Sequence, residues 1–232
     1  MVSRSMRLAV AVALLAFHAP LATAQLAPTA EERAEGFIAL FDGTSTAAWR
    51  GYWSEAMPEG WHIVDGVLTK STAIGDILTR EMYSDFELRL DWKLGRGGNA
   101  GIFYHGTEAY PKVYWSGPEY QLLDDANAAD GRSRLTAAGA AYGLYPAPEG
   151  VVRPAGEWNT TRIVVRRGHV EHWLNGVKLL EYQLWSTEWR EKVAATKFAA
   201  WPGYGLSGRG HIAIQGDHAG ELSLRNIRIR PG

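Results

Sequence analysis

The chain has 232 residues, with 24 Lys+Arg against 25 Asp+Glu and no cysteine. A near-neutral balance without a basic face excludes nucleic acid and anionic membrane as partners, and the missing cysteine excludes disulfide staples. The abundant residues are Trp, Tyr and Gly, at 10, 10 and 26; this composition suits carbohydrate-handling surfaces and twisted β-sandwich cores alike.

Arg4 and Arg7 make a basic start, Leu8 to Phe17 is an apolar run, and Ala22-Thr23-Ala24 reads as a cleavage site. This is the layout of a secretory signal peptide over residues 1–24, and a run of about 10 residues is too short for a membrane span of roughly 20. Export to the periplasm or the medium is expected, with the mature chain starting near Gln25. Losing Arg4 and Arg7 leaves 22 Lys+Arg against 25 Asp+Glu, a net charge of −3. Residues 25–36 read as a polar lead-in with one helical turn, and residues 37–232 as a single domain large enough to build its own core.

From Phe37 onward, short apolar runs end at Gly, Asp and Asn, the pattern of many short strands. Phe37 to Phe41 stops at Asp42-Gly43. Trp61 to Val64 faces Val67 to Thr69 across Asp65-Gly66, a type I′ hairpin signal, and Asn175-Gly176 repeats it between His169–Leu174 and Val177–Tyr182. Phe86 to Trp92 alternates, with Phe86, Leu88, Leu90 and Trp92 on one face. Gly101–Tyr104, Glu119–Leu123, Asn159–Arg166, His211–Gln215 and Glu221–Arg230 are further strands, and only Glu188–Lys197 has helical character. About a dozen strands with so little helix predict an all-β domain of two packed antiparallel sheets, with a closed barrel the lesser option.

The chain lacks a P-loop, HExxH, a G-x-S-x-G elbow and a GxGxxG that opens a helix. Its glycine cluster, Gly95 to Asn99, lies between strands and reads as a tight connection. Three strand ends gather unusual polar residues: Asn99 to His105, Glu119 with Gln121, and Gln215 to His218. Each has an ordinary reading as well: a bulged strand with a rim histidine, a solvated strand face, and a turn with a surface histidine. Together they supply Glu, Asp and His for an acid–base pair or a divalent metal site. A glycosidase needs two carboxylates about 5 Å apart when it retains configuration. On its own strand face Glu119 has Gln121 and Leu123 as neighbours, so that strand carries no second acid.

Several segments occur together in order: Phe41-Asp-Gly-Thr, Val64-Asp-Gly-Val-Leu68, Gly75-Asp-Ile-Leu-Thr79, Asp85-Phe-Glu-Leu-Arg-Leu90, Gly98-Asn-Ala-Gly-Ile-Phe103 and Pro118-Glu-Tyr-Gln-Leu-Leu-Asp124. Gly156-Glu-Trp-Asn159, His172-Trp-Leu-Asn-Gly176, Lys197-Phe198 and Asn226-Ile-Arg-Ile229 follow. Over residues 36 to 230 this set resembles the 3-keto-disaccharide hydrolase family, also described as 3-keto-glucoside 1,2-lyase/3-keto-2-hydroxy-glucal hydratase domains. Two places depart from it: Ala100 stands where members often carry Ser, and Gln215-Gly-Asp-His-Ala219 is one residue longer than Gln-Asp-His-Gly.

The resemblance implies a concanavalin A-like jelly-roll β-sandwich, export, and action on a carbohydrate oxidised at C3. A C3 ketone acidifies the C2 proton, so one base can remove it and expel the C1 substituent before water adds back. On that chemistry Glu119, His105 and His218 are the expected catalytic residues. Asn99, Tyr104, Gln121, Tyr142, Lys197, Trp201 and Gln215 are expected to bind substrate, with Lys197 near the oxyanion and Trp201 or Tyr142 stacking. A divalent metal on Glu119 and His218 would supply an electrophile. Two alternatives stay open: a non-catalytic carbohydrate-binding sandwich, and a two-carboxylate glycosidase whose second acid comes from elsewhere in the chain.

Overall fold

The structure is a computed structural model describing residues 28–232; the signal-peptide reading of residues 1–24 lies outside them. Thirteen strands form two antiparallel sheets. They are β1 (Ile38–Phe41), β2 (Trp49–Gly51), β3 (His62–Val64), β4 (Val67–Lys70), β5 (Ile77–Thr79), β6 (Phe86–Leu94) and β7 (Asn99–Gly106), then β8 (Glu119–Leu123), β9 (Asn159–Arg166), β10 (His169–Leu174), β11 (Val177–Gln183), β12 (His211–Ile214) and β13 (Leu222–Pro231). The larger sheet runs β11-β10-β9-β6-β13-β4-β3, with β1 also on β13, and the smaller runs β2-β5-β12-β7-β8. Short helices cover Ala30–Ala34 (α1) and Thr187–Ala194 (α2). Among the described residues no helix is long and apolar enough to cross a membrane.

Local chemistry sets both type I′ hairpins. Asp65 and Gly66 have φ of 50° and 76°, Asn175 and Gly176 of 50° and 84°, and the primed turn's twist matches that of the strands it joins. A third tight turn, Arg167-Gly168, has φ of 51° and 77°; arginine carries no turn signal. Strands β2 and β5 are only three residues long, too short for a period-two pattern to stand out in the sequence. In the lead-in, Thr29 accepts from Glu32 N while the Glu32 carboxylate accepts from Thr29 N. This capping box is what lets a five-residue helix form.

The core lies between the sheets. Phe86, Leu88, Leu90, Trp92 and Leu94 of β6 point inward, all at 3% exposure or less, as their period-two spacing predicts. They meet Ala100, Ile102 and Tyr104 of β7 and Tyr120 and Leu122 of β8. Each such apolar side chain contributes about 1.5–3 kcal/mol on burial. The buried polar atoms are bonded in a chain: Trp92 Nε1 donates to Thr161 Oγ1 (2.8 Å), which donates to the Tyr120 hydroxyl (3.0 Å), which donates to Trp173 O (3.1 Å). At one end five rings stack almost in parallel, Tyr145–Tyr182–Trp189–Tyr204–Phe198, with centroid spacings of 4.6, 5.2, 6.2 and 4.2 Å. The last two rings of this column reach the outer face of the smaller sheet.

Candidate active site

A cavity of about 320 Å³ opens on that outer face. Its floor is β7 and β8, where alternation sends Asn99, Phe103, Glu119 and Gln121 outward and Ala100, Ile102, Tyr120 and Leu122 into the core. The wall beyond β12 carries Gln215, Asp217 and His218; the connection after β7 brings Tyr114 and Gly117; the long β8–β9 connection brings Asp130 and Tyr142. The turn after α2 supplies Lys197, Phe198, Trp201 and Tyr204.

The Glu119 carboxyl makes no hydrogen bond or ion pair among the described residues, and its side chain lies across Gly101, where any Cβ would run into its carboxyl group. Burial pushes its pKa up to about 8; Lys197 pulls it back, while Asp217, Asp130 and Asp76 push it further. Lys197 Nζ sits 4.7 Å from the Tyr142 ring centroid and 5.7 Å from those of Phe198 and Trp201, a cation–π cage that fixes its position. Gln121 Nε2 donates to Asn99 Oδ1 (3.0 Å). Three acceptor atoms on the cavity wall are buried without a partner: Gln121 Oε1, Gln215 Oε1 and Asp217 Oδ1. An orphaned buried acceptor costs about 1–3 kcal/mol, so the three together ask for a ligand that donates hydrogen bonds.

The wall segment is held from behind. Gly216 N donates to Asp76 Oδ1 (2.8 Å), and a Cβ at Gly216 would stand 2.5 Å from Gly75 O. Gly216 therefore stands at a close backbone approach. Lys70, from the larger sheet, donates to the carbonyls of His218 (2.6 Å), Thr72 and Gly220 (both 3.3 Å).

Of the expected site residues, the structure brings Glu119, His218, Asn99, Gln121, Tyr142, Lys197, Trp201 and Gln215 to this one cavity. It does not bring His105 or Tyr104 there. Tyr104 has the parity of Ala100 and Ile102, and its hydroxyl lies in the core beside the Tyr182 hydroxyl and His172 Nε2. His105 has φ of 54°, which breaks the alternation of β7 beside a register shift with β12. Its ring turns inward against Phe86, with Nε2 2.7 Å from Ser84 O, and burial pulls its pKa down. The positive φ is a tertiary effect that no residue pattern announces.

The cavity also holds acids and rings that sequence reasoning did not select: Asp130, Asp217, Phe103, Tyr114, Phe198 and Tyr204. Phe103 follows from the parity of Asn99 and Gly101; the others come from irregular loops. Asp124 accepts from Gly97 N of the β6–β7 turn and from Asn127 Nδ2, and Asp125 from Ala138 N and Arg134 of its own loop. For a metal, the only described His, Cys or carboxylate trio whose ligand atoms lie within 4.8 Å of one another is His169, Glu171 and Glu181 on the larger sheet. The acids of the cavity and His218 are not drawn together into such a trio; Glu119 and His218 both line the cavity as open donors.

A family model described as the 3-keto-alpha-glucoside-1,2-lyase-like domain matches residues 36–230. The chain is 33% identical over 229 residues to a Bacteroides thetaiotaomicron protein named 3-keto-disaccharide hydrolase, covering 85% of this chain and 79% of that one. A crystal structure from Parabacteroides distasonis, described as a candidate glycosyl hydrolase, superposes with a TM-score of 0.83 at 34% identity over 88% of this chain and 98% of that one. A Bacillus subtilis protein of galectin-like fold superposes with a TM-score of 0.52 at 13% identity over 79% and 88%, which bears on the β-sandwich alone. On the match over residues 36–230, the chain belongs to the 3-keto-alpha-glucoside-1,2-lyase-like domain family.

Proposed function

We propose that this chain is an exported enzyme that cleaves 3-keto-glycosides by elimination across C1–C2 and rehydration, for a net hydrolysis. The observation that carries the reading is Glu119, an unpaired carboxyl on the cavity floor with Lys197 above it and orphaned hydrogen-bond acceptors around it. The family and the relative named for 3-keto-disaccharide hydrolysis support it.

The chemistry asks little of the protein. The Glu119 carboxylate takes the C2 proton, and the electron pair moves to the C3 oxygen as an enolate. The Lys197 ammonium, fixed in its ring cage, stabilises that charge. The enolate then expels the C1 substituent, with His218 placed to protonate the departing oxygen. Water adds to C1 of the enone, giving its surplus proton to His218, and Glu119 returns its own proton to C2. Gln121, Gln215 and Asp217 accept bonds from sugar hydroxyls, which meets the unfilled need of their buried oxygens. A base near 8 is well matched to a carbon acid of this kind, and no step requires a metal.

The test is incubation of the protein with methyl 3-keto-glucoside and with unoxidised methyl glucoside, alongside Glu119→Gln. Loss of the keto substrate alone is expected, with no turnover by a folded variant; near-normal turnover by the variant sinks the assignment. A second reading is favoured by Asp130 and Asp217 on the cavity wall, which give Glu119 the companion acid that its own strand lacks. That reading, a two-carboxylate glycosidase, requires turnover of the unoxidised glucoside.

A further inference from the structure

Trp53 is 61% exposed, the most exposed tryptophan among the described residues, and yet it is fastened. Its backbone N–H donates to Glu108 Oε1 (2.7 Å) and its indole N–H to Glu108 O (2.9 Å). Glu108 is itself gripped by both terminal nitrogens of Arg50, at 2.8 and 2.6 Å, the bidentate geometry that fixes orientation as well as attraction. Behind it, Tyr52 packs at 5.4 Å between ring centroids, with its hydroxyl donating to the carbonyls of Thr107 and Tyr110. Trp53 also holds φ of 53°, a left-handed conformation that bulky residues avoid and that persists where function repays the strain. Both of its N–H groups are spent on holding the ring still, and the ring faces solvent.

The sheet register says what it stands beside. Gly51, Ile77, Ile214 and Ile102 form one row across β2, β5, β12 and β7. The next row runs Tyr52, Asp76, Gln215, Gly101, Gln121, through the bonds Tyr52 N to Asp76 O and Gln215 N to Gly101 O and the pairing of Gly101 with Gln121. Gly101 is the residue under the Glu119 carboxyl. Trp53 therefore stands at the β2 edge of the sheet whose β7 and β8 carry the cavity, beyond the wall of Asp217 and His218 and fastened to the segment that follows β7. Three strand spacings separate the two, about 14 Å, roughly the reach of a trisaccharide.

Building on the 3-keto-glycoside reading, we propose that Trp53 is a stacking platform for a distal pyranose ring, so that the site grips glycosides longer than a disaccharide. A pyranose presents the flat C–H face that suits an indole, and a ring immobilised beforehand loses little freedom on binding. The platform touches only the non-reacting end of the substrate, so its role is in affinity for length.

The experiment compares methyl 3-keto-glucoside, 3-keto-maltose and 3-keto-cellobiose, and the 3-keto derivatives of maltotriose and cellotriose, on wild type, Trp53→Ala and Trp53→Tyr. KM is expected to fall with substrate length in the wild type. In Trp53→Ala it should rise roughly ten-fold for a trisaccharide only, at unchanged kcat, and Trp53→Tyr should recover most of the loss. A KM independent of length in the wild type, or an equal effect of Trp53→Ala on all substrates, overturns the platform and leaves the reaction standing. If no keto substrate is turned over by the wild type, the functional reading fails instead. Calorimetric titration with unoxidised maltotriose and cellotriose then decides Trp53 alone: affinity lost in Trp53→Ala supports it, and equal affinity or no binding overturns it.

Discussion

Two glutamates, one on the outer face of each sheet, show opposite uses of the same side chain. Glu87 on β6 is 2% exposed and accepts from Arg89 (2.7 and 2.9 Å), Arg162 (2.7 Å) and Arg230 (2.6 Å). Burial alone would raise its pKa; the hydrogen bonds and charges of Arg162 and Arg89 outweigh burial and bring it below the ordinary value. Glu119 on β8, half-buried at the cavity floor, has one cation nearby and no side-chain hydrogen bond, so desolvation prevails and its pKa rises to about 8. A carboxylate given partners becomes a structural rivet, and one denied them is left with reactivity.

The comparison breaks most sharply by neutralising each acid in turn. Glu119→Gln is expected to lower kcat/KM about a thousand-fold while the circular dichroism spectrum stays native. Glu87→Gln should do the reverse: it leaves a cluster of arginines short of a counter-charge and removes about 3 kcal/mol of stability in urea unfolding, with kcat/KM kept in the folded protein. Exchanged outcomes would overturn the contrast.

The pH dependences should also run in opposite directions. The pKa of an ordinary glutamate is near 4.5 and that of Glu119 in the fold about 8, so between those values the native state holds the extra proton and stability falls as pH rises. Glu119→Gln should therefore gain melting temperature over wild type progressively from pH 5 to pH 8.5. As the base, Glu119 should also give kcat/KM a rising limb centred near pH 8. The Glu87 contribution is present above the ordinary glutamate value and is lost as pH falls through its lowered one, so its loss belongs to acid titration. A flat activity profile from pH 6 to 9 would rule out Glu119 as the base.

A gentler probe moves the acid without changing it. Gly101→Ala places a methyl where the Glu119 carboxyl lies, and a loss of about ten-fold in kcat/KM is expected, with little change in melting temperature because a flexible side chain yields. The smallest expected effect is that of chelation: turnover should survive EDTA unchanged, and a loss restored by a divalent ion would show that the open donors of Glu119 and His218 close on a metal in use.

Sequence showed well whatever depends on near neighbours. The Asp-Gly and Asn-Gly hairpins, the inward face of β6 and the shared face of Glu119 and Gln121 all follow from residues within a few positions. The same parity was available for Tyr104, since Ala100 and Ile102 mark its face as the inner one, and the expected substrate role ran against it. His105 was beyond such reasoning because its side is set by a backbone reversal opposite a distant strand. Asp130 and Asp217 reach the cavity on loops shaped by remote partners, such as the Gly216–Asp76 bond across 140 positions. Glu87 lies on the face that alternation assigns to solvent, and two of its three arginines come from β9 and β13, 75 and 143 positions away.

Lys70 gives the absence of cysteine another meaning. Its ammonium crosses from the larger sheet and commits its protons to three carbonyls of the segments around the cavity wall, one of them that of His218. It is a cross-link built from charge and hydrogen bonds, with no covalent bond to oxidise or reduce. The mouth of the cavity is thus stapled in a way that the redox state of its surroundings cannot undo.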